Sequence, residues 1–138
     1  MSTVTDPRLA TPLRWIAGAL ALVFGLATVL EGGHVLFGGA DAWRAAGDVV
    51  PFVLGFNFAA GFAYVATGAA TLARRRWAVW TARALAMSTV AVLVLFTGYV
   101  LGGGAFETRT VAAMSVRSVF WVVQALALPA LLDPRRMS

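Results

Sequence analysis

The chain has 138 residues, of which 60% are hydrophobic and only 12% are charged, and its mean hydropathy is +0.82. A soluble domain carries about a quarter charged residues, so this composition cannot cover a surface that faces water. It argues against a soluble enzyme and against a nucleic-acid partner. It indicates instead one all-α, polytopic membrane domain. The absence of cysteine excludes disulfides and thiolate metal sites.

The first apolar segment extends from about residue 13 to residue 36 and is interrupted near its end by Glu31 and His34. It is longer than the roughly 7–15 apolar residues of a signal peptide, so we interpret it as a membrane span. Three glycines recur along it at seven-residue intervals: Gly18, Gly25 and Gly32. Small residues let helices approach closely in lipid, so this stripe predicts tight packing against another helix of the same chain or of a neighbouring subunit.

Three further apolar segments follow, at about residues 49–72, 77–101 and 110–132. Each is long enough for the ~20 residues with which a helix crosses the hydrocarbon core, and a chain in lipid must satisfy its backbone hydrogen bonds internally. The connections are short, which predicts a four-helix up-down-up-down transmembrane bundle. In the first connection, Trp43 lies among charged residues and is typical of a short amphipathic turn along the membrane surface.

The arginines are distributed unequally between the two ends of the predicted bundle, and all eleven basic residues are arginine. Eight lie at the end that holds the termini: Arg8, Arg14, Arg74, Arg75, Arg76, Arg83, Arg135 and Arg136. Three lie toward the other end: Arg44, Arg109 and Arg117. The positive-inside rule therefore predicts a multi-pass protein of the inner (plasma) membrane with both termini in the cytoplasm.

Polar residues of several spans are predicted to lie in the outer third of the bundle. They are Glu31, His34, Asn57, Tyr99, Glu107 and Arg117. At 1.5 Å per residue, Glu31 lies about 25 Å beyond Arg14, and Asn57 lies about 9 Å inward from Pro51. Ionisable groups within a membrane are unfavourable and mark candidate functional sites, so these residues form a candidate polar pocket.

The chemistry of this pocket allows several interpretations. Arg117 is expected to pair with Glu31, with Glu107 as the competing partner, and such a pair could serve only to hold the helices in register. Alternatively, Glu31, His34 and Glu107 could bind one metal ion through imidazole and oxygen ligands, although the charge of Arg117 disfavours it. A haem is disfavoured because the chain has one histidine, so the second axial ligand would have to be Met114 or the His34 of another copy.

The leading hypothesis is a small inner-membrane protein whose outward-facing polar pocket binds a small ligand, an ion or a lipid head group. No acidic residue lies near the membrane midplane, which favours a one-sided pocket over a channel. The first alternative is a non-catalytic structural or accessory subunit of a larger membrane complex. The second is a membrane-embedded enzyme that uses Glu31 and His34 as an acid–base pair. The expected partners are the lipid bilayer and either further copies of the chain or other membrane subunits.

Overall fold

The computed structural model describes residues 6–133 and residue 135. Its regular structure is helical, and these residues form no strand. The helices are α1 (Pro7–Phe37), α2 (Gly39–Ala45), α3 (Pro51–Leu72), α4 (Trp77–Leu101) and α5 (Thr108–Leu131). All but α2 are long and apolar enough to cross a membrane. The chain is therefore a multi-pass membrane protein, and the predicted all-α fold class is confirmed.

The helices differ from the predicted spans mainly at their first residues. α1 begins at Pro7, earlier than predicted, because the Asp6 carboxylate accepts a hydrogen bond from the Arg8 amide at 2.9 Å and proline fits the first helical turn. α3 begins at Pro51, slightly later than predicted, again with proline in its first turn. Both starts have proline in the first turn and α1 also has a side-chain cap, features that a hydropathy pattern does not detect.

The glycines of α1 pack against the glycines of α3. A Cβ atom on Gly25 would lie 2.8 Å from the backbone nitrogen of Val65, and one on Gly68 would lie 2.8 Å from the carbonyl oxygen of Gly18. Distances this short leave no room for a side chain, so the two backbones are in direct contact. The glycine stripe is therefore occupied by α3 of the same chain, and it needs no neighbouring subunit to explain it.

An aromatic cluster fills the middle of the bundle and is contributed by α1, α3 and α5. We call it the aromatic floor; it consists of Phe24, Tyr64, Phe120 and Trp121. The ring centroids of Tyr64 and Trp121 are 4.8 Å apart, and both side chains are fully buried. Aromatic pairs in such tilted or edge-to-face arrangements stabilise a core beyond the area they bury.

Hydrogen bonds between helices hold the half of the bundle below the aromatic floor. Gln124 Nε2 donates to the Ala17 carbonyl oxygen at 3.0 Å, which joins α5 to α1. The Thr67 hydroxyl donates to Thr81 Oγ1 at 2.9 Å, which joins α3 to α4. Polar side chains commonly link helices within a bilayer in this way.

Short connections join the long helices. α3 ends in a turn where Arg74 has a φ of 57° and the Arg75 amide donates to the Ala70 carbonyl oxygen at 2.7 Å, which satisfies an otherwise free helix-end carbonyl. Trp43 lies in the short helix α2, where the predicted surface turn was expected. These connections are compatible with the predicted up-down-up-down order. We call the end with α2 the outer end and the end with Arg74 the inner end.

Which end faces the cytoplasm can be tested with single cysteines, because the chain has none of its own. We expect Asp41→Cys to react with a membrane-impermeant thiol reagent on intact cells, and Ala73→Cys to react only after permeabilisation, since the arginine excess predicts that the inner end faces the cytoplasm. Both positions are exposed. The reverse labelling pattern would contradict the prediction. Arg136, one of the eight arginines counted at the inner end, lies outside the described residues, as do both chain termini.

Candidate functional site

The outer end contains a cavity of about 580 Å³ between α1, α3 and α5, with residues of α2 forming part of its wall. Five of the six predicted pocket residues line it: Glu31, His34, Asn57, Glu107 and Arg117. The volume falls within the ~300–1,000 Å³ that small-molecule sites occupy. Side chains that are far apart in the sequence are therefore brought together around one space.

The polar groups line this cavity at successive depths. Arg117 and Thr28 lie deepest, about 13 Å along their helices from the outer helix ends at 1.5 Å per residue. Glu31 and Asn57 lie about 9 Å in, and His34 is in the last turn of α1. The deepest ionisable group of the cavity is thus a cation, and a carboxylate lies one turn above it.

Arg117 is buried but only weakly partnered. Its side chain is 7% exposed, and Nη2 donates to Thr28 Oγ1 over a long distance of 3.4 Å. The guanidinium carbon lies 5.4 Å from the centroid of the Phe24 ring, a cation–π contact at the edge of the aromatic floor. The Nε atom is buried and has no hydrogen-bond partner among the described residues.

The predicted ion pair of Arg117 with Glu31 or Glu107 does not form. Within residues 6–133 and 135, the one ion pair with a nitrogen–oxygen distance of 4.0 Å or less joins Arg44 to Asp41, at 2.7 Å. Glu107 lies at the first turn of α5, more than two turns above Arg117, and the Glu31 side chain is exposed. The prediction was wrong because a shared outer third of the membrane still spans several helical turns.

The rim of the cavity is held by bonds between α5 and the connection that follows α2. Glu107 Oε1 accepts a hydrogen bond from the Asp48 amide at 2.9 Å, and Arg109 Nη2 donates to the carbonyl oxygen of Ala46. Glu107 occupies the N-cap position of α5, but its carboxylate bonds to the other connection instead of capping its own helix. These two residues are therefore engaged in holding the rim.

Inward of Arg117 lies the aromatic floor, none of whose residues lines the cavity. Tyr64 and Trp121 are fully buried there, one to two turns inward of Asn57 and Arg117. The Tyr64 hydroxyl, Thr89 Oγ1 and Trp121 Nε1 are buried polar atoms with no hydrogen-bond partner in the described part of the chain. The residues that line the cavity reach no further inward than Thr28 and Arg117, which is compatible with the predicted one-sided pocket.

Tyr99, the sixth predicted pocket residue, does not line the cavity. Its hydroxyl donates to the carbonyl oxygen of Ala105 at 2.9 Å, and its ring packs against Phe52 with centroids 6.2 Å apart. Including it in the pocket was therefore an error of helix rotation: the depth of Tyr99 is correct, but its side chain secures the connection between α4 and α5.

The metal hypothesis receives no support from the geometry. In the described ranges, no three His, Asp or Glu side chains lie close enough together to hold a metal ion, so Glu31, His34 and Glu107 do not converge as a ligand set. The haem pairing within one chain is also unfavourable. Met114 is fully buried with Val53 and its neighbours, whereas His34 is exposed on the cavity wall.

Four further polar residues of the cavity wall were missed from sequence: Thr28, Asp48, Arg109 and Thr110. Thr28 could have been found, because it precedes Glu31 by three residues and so lies on the same face of α1. Asp48 lies in the connection before α3 and Arg109 lies in the first turn of α5, where periodicity gives little indication of side-chain direction. Their contribution depends on how the two outer connections meet.

Comparison with known proteins identifies no relative. No protein-family model matches the chain, and no curated protein or solved structure matches it. The function must therefore be argued from the geometry and chemistry of the outer cavity.

Proposed function

We propose that the protein is a small membrane protein that binds, in its outer cavity, a small ligand carrying a carboxylate or phosphate group. The observation that supports this proposal is the burial of Arg117 without a counter-charge in the described part of the chain. The residue is 7% exposed, its guanidinium has no carboxylate oxygen within 4.0 Å among the described residues, and its Nε–H has no hydrogen-bond partner there. A buried charge without a counter-charge is unfavourable, so an anionic group entering the cavity gains the interaction that the chain itself does not supply.

The guanidinium is suited to this role by its shape. Nε–H and a neighbouring Nη–H form a planar fork that binds a carboxylate or phosphate through two parallel, charge-assisted hydrogen bonds. Thr28 engages Nη2 only at 3.4 Å, the Phe24 ring centroid lies 5.4 Å from the guanidinium carbon, and Nε–H keeps no hydrogen-bond partner among the described residues. The low dielectric of the surroundings strengthens such bonds relative to the same bonds in water.

The upper part of the cavity constrains the other end of the ligand. The exposed carboxylates of Glu31 and Asp48 lie above Arg117, while Glu107 and Arg109 are engaged in holding the rim. This order of charges disfavours ligands with several negative charges and favours an ammonium group opposite the anionic one. The ligand class that fits best is therefore a small zwitterion, with its acidic group directed inward.

Two pairs of probes that differ only in an ammonium-bearing group test the proposal: butyrate against 4-aminobutyrate, and inorganic phosphate against phosphoethanolamine. We expect calorimetry on the full chain in an uncharged maltoside detergent to show tighter binding of the zwitterion in each pair, by up to about fivefold for a partly exposed ion pair. Glu31→Gln should remove this preference and tighten butyrate binding. Binding of none of the four probes would overturn the proposal.

The histidine at the rim provides a control within the same experiment. His34 is exposed, so His34→Gln is expected to leave the unfolding midpoint unchanged and to weaken probe binding by less than Arg117→Ala does. Equal loss of folded protein for the two variants would contradict the pocket, because His34 would then be a buried strut. Phosphatidylethanolamine added as a competitor separates a lipid head group from a free solute as the source of the anionic group.

The full chain purified in detergent can also be used to test whether the protein is an accessory subunit or an oligomer. Measuring the mass of the intact detergent complex distinguishes a single chain or a homo-oligomer from a subunit that co-purifies with other proteins, which the accessory-subunit hypothesis requires. Oligomerisation stays a prediction, and the glycine stripe no longer supports it because α3 occupies that stripe. An acid–base role for Glu31 and His34 also stays a prediction, since both line the cavity.

A further inference from the structure

A second cavity, of about 800 Å³, lies at the inner end of the bundle between α4 and the end of α5. We call it the α4–α5 groove; its lining includes Arg76, Trp77, Trp80, Arg83, Leu132 and Arg135. It lies at the opposite end from the outer cavity and shares no residue with it. Neither the proposed ligand nor the fold accounts for its combination of arginine and tryptophan.

The arginines of the groove are available to an anion. Arg76, Arg83 and Arg135 are exposed, and no carboxylate oxygen lies within 4.0 Å of their side-chain nitrogens among the described residues. Asp133 also lines the groove, but its Oδ1 accepts the Arg135 backbone amide at 3.0 Å. Three guanidiniums against one carboxylate leave the groove with a net positive charge of two.

The tryptophans place this charge at the depth of a lipid head group. Trp77 and Trp80 are 47% and 70% exposed in the first turns of α4, and tryptophan on the outside of a membrane helix is typical of the interface between hydrocarbon and water. The Arg83 guanidinium carbon lies 5.3 Å from the centroid of the Trp80 ring. Because Trp80 precedes Arg83 by about one turn, Arg83 extends back toward Arg76 and the membrane surface.

We propose that the α4–α5 groove binds the head group of an anionic phospholipid. The exposed arginines would bind the phosphate, and Arg83 can do so through the edge of its guanidinium while its face rests on Trp80. The apolar wall, which includes Leu132, Val79 and Pro129, would contact the glycerol and the first carbons of the acyl chains. A basic pocket between membrane helices with such a wall suits a lipid better than it suits free phosphate.

Competition between two lipids tests this on the unmodified chain. The full-length protein in maltoside detergent is equilibrated with equal amounts of phosphatidylglycerol and phosphatidylcholine, and native mass spectrometry counts the lipid that stays bound. Both lipids carry a phosphate, but only phosphatidylglycerol carries a net charge. We expect phosphatidylglycerol to be retained at least fivefold in excess, since one arginine near a membrane surface contributes about that factor. Equal retention of the two lipids would overturn the proposal.

Variants then locate the binding site. The double variant Arg76→Gln and Arg83→Gln is expected to reduce the preference at least fivefold, whereas Arg44→Gln, at the outer end, should leave it unchanged. A preference that survives the double variant, or that Arg44→Gln reduces equally, would contradict a site in the α4–α5 groove. Displacement of the bound lipid by inorganic phosphate at constant ionic strength would also contradict it, because the recognised species would then be the free anion.

Discussion

Replacing Arg117 with Met is expected to leave the free energy of unfolding unchanged or to raise it by about 1–3 kcal/mol. The reason is that Arg117 has no carboxylate partner within 4.0 Å among the described residues, so its removal leaves no other charge buried and alone. The chain loses only a 3.4 Å hydrogen bond to Thr28 and a cation–π contact with Phe24. If Arg117 were paired with Glu31, the same replacement would instead destabilise the protein by about 3–5 kcal/mol.

The same replacement is expected to weaken binding of the anionic probes by about ten- to a hundredfold. Hydrogen bonds to a charged group contribute roughly 1.5–3 kcal/mol, and Met supplies none. Reversible unfolding in detergent measures the stability, and calorimetry with 4-aminobutyrate measures the binding. Arg117→Lys is the matched control: it retains the charge without the planar fork, so binding should fall by an intermediate factor.

An unstable Arg117→Met variant together with an equally unstable Glu31→Gln variant would contradict this picture. That result would mean that the two side chains form a buried pair in the membrane and that the polar cluster only holds the helices in register. A stable Arg117→Met variant that still binds the probes at full strength would contradict the proposed function in a different way, because the anionic group would then bind elsewhere.

The second large effect is expected from the glycines between α1 and α3. Gly25→Ala and Gly68→Ala should each lower the free energy of unfolding by about 1–3 kcal/mol, because each added methyl group would lie 2.8 Å from backbone atoms of the facing helix. Backbone atoms cannot rotate aside as a side chain can, so the two helices would have to separate along much of their length.

Gly98→Ala provides the control for this prediction. Gly98 lies within α4, and no atom lies within 4 Å of the position its Cβ would take. The replacement should therefore leave the stability unchanged or raise it slightly through the better helix propensity of alanine. Unfolding of all three variants in one detergent is the measurement. Equal behaviour of Gly25→Ala and Gly98→Ala would show that close packing of α1 on α3 does not contribute to stability.

The sequence alone determined the number, type and approximate ends of the membrane helices, because apolar runs of about 20 residues have no other stable form in lipid. It also determined the depth of the polar residues, since depth along a helix follows from the 1.5 Å rise per residue. Glu31, Asn57 and Arg117 could therefore be assigned to the same outer part of the bundle, and they do line one cavity.

Only the tertiary structure decided which groups meet. Contact depends on the rotation of each helix about its axis and on side-chain conformation, and both are set by packing between helices instead of by spacing along the chain. The α1 glycines pack on α3, and this packing turns Thr28 toward Arg117. The two outer connections meet, so that the Glu107 carboxylate accepts a hydrogen bond from the Asp48 amide. Tyr99 turns away from the cavity, because its hydroxyl bonds to the connection that follows α4. Arg117 thus stays without a counter-charge among the described residues, because Glu107 lies more than two turns above it and the Glu31 side chain is exposed.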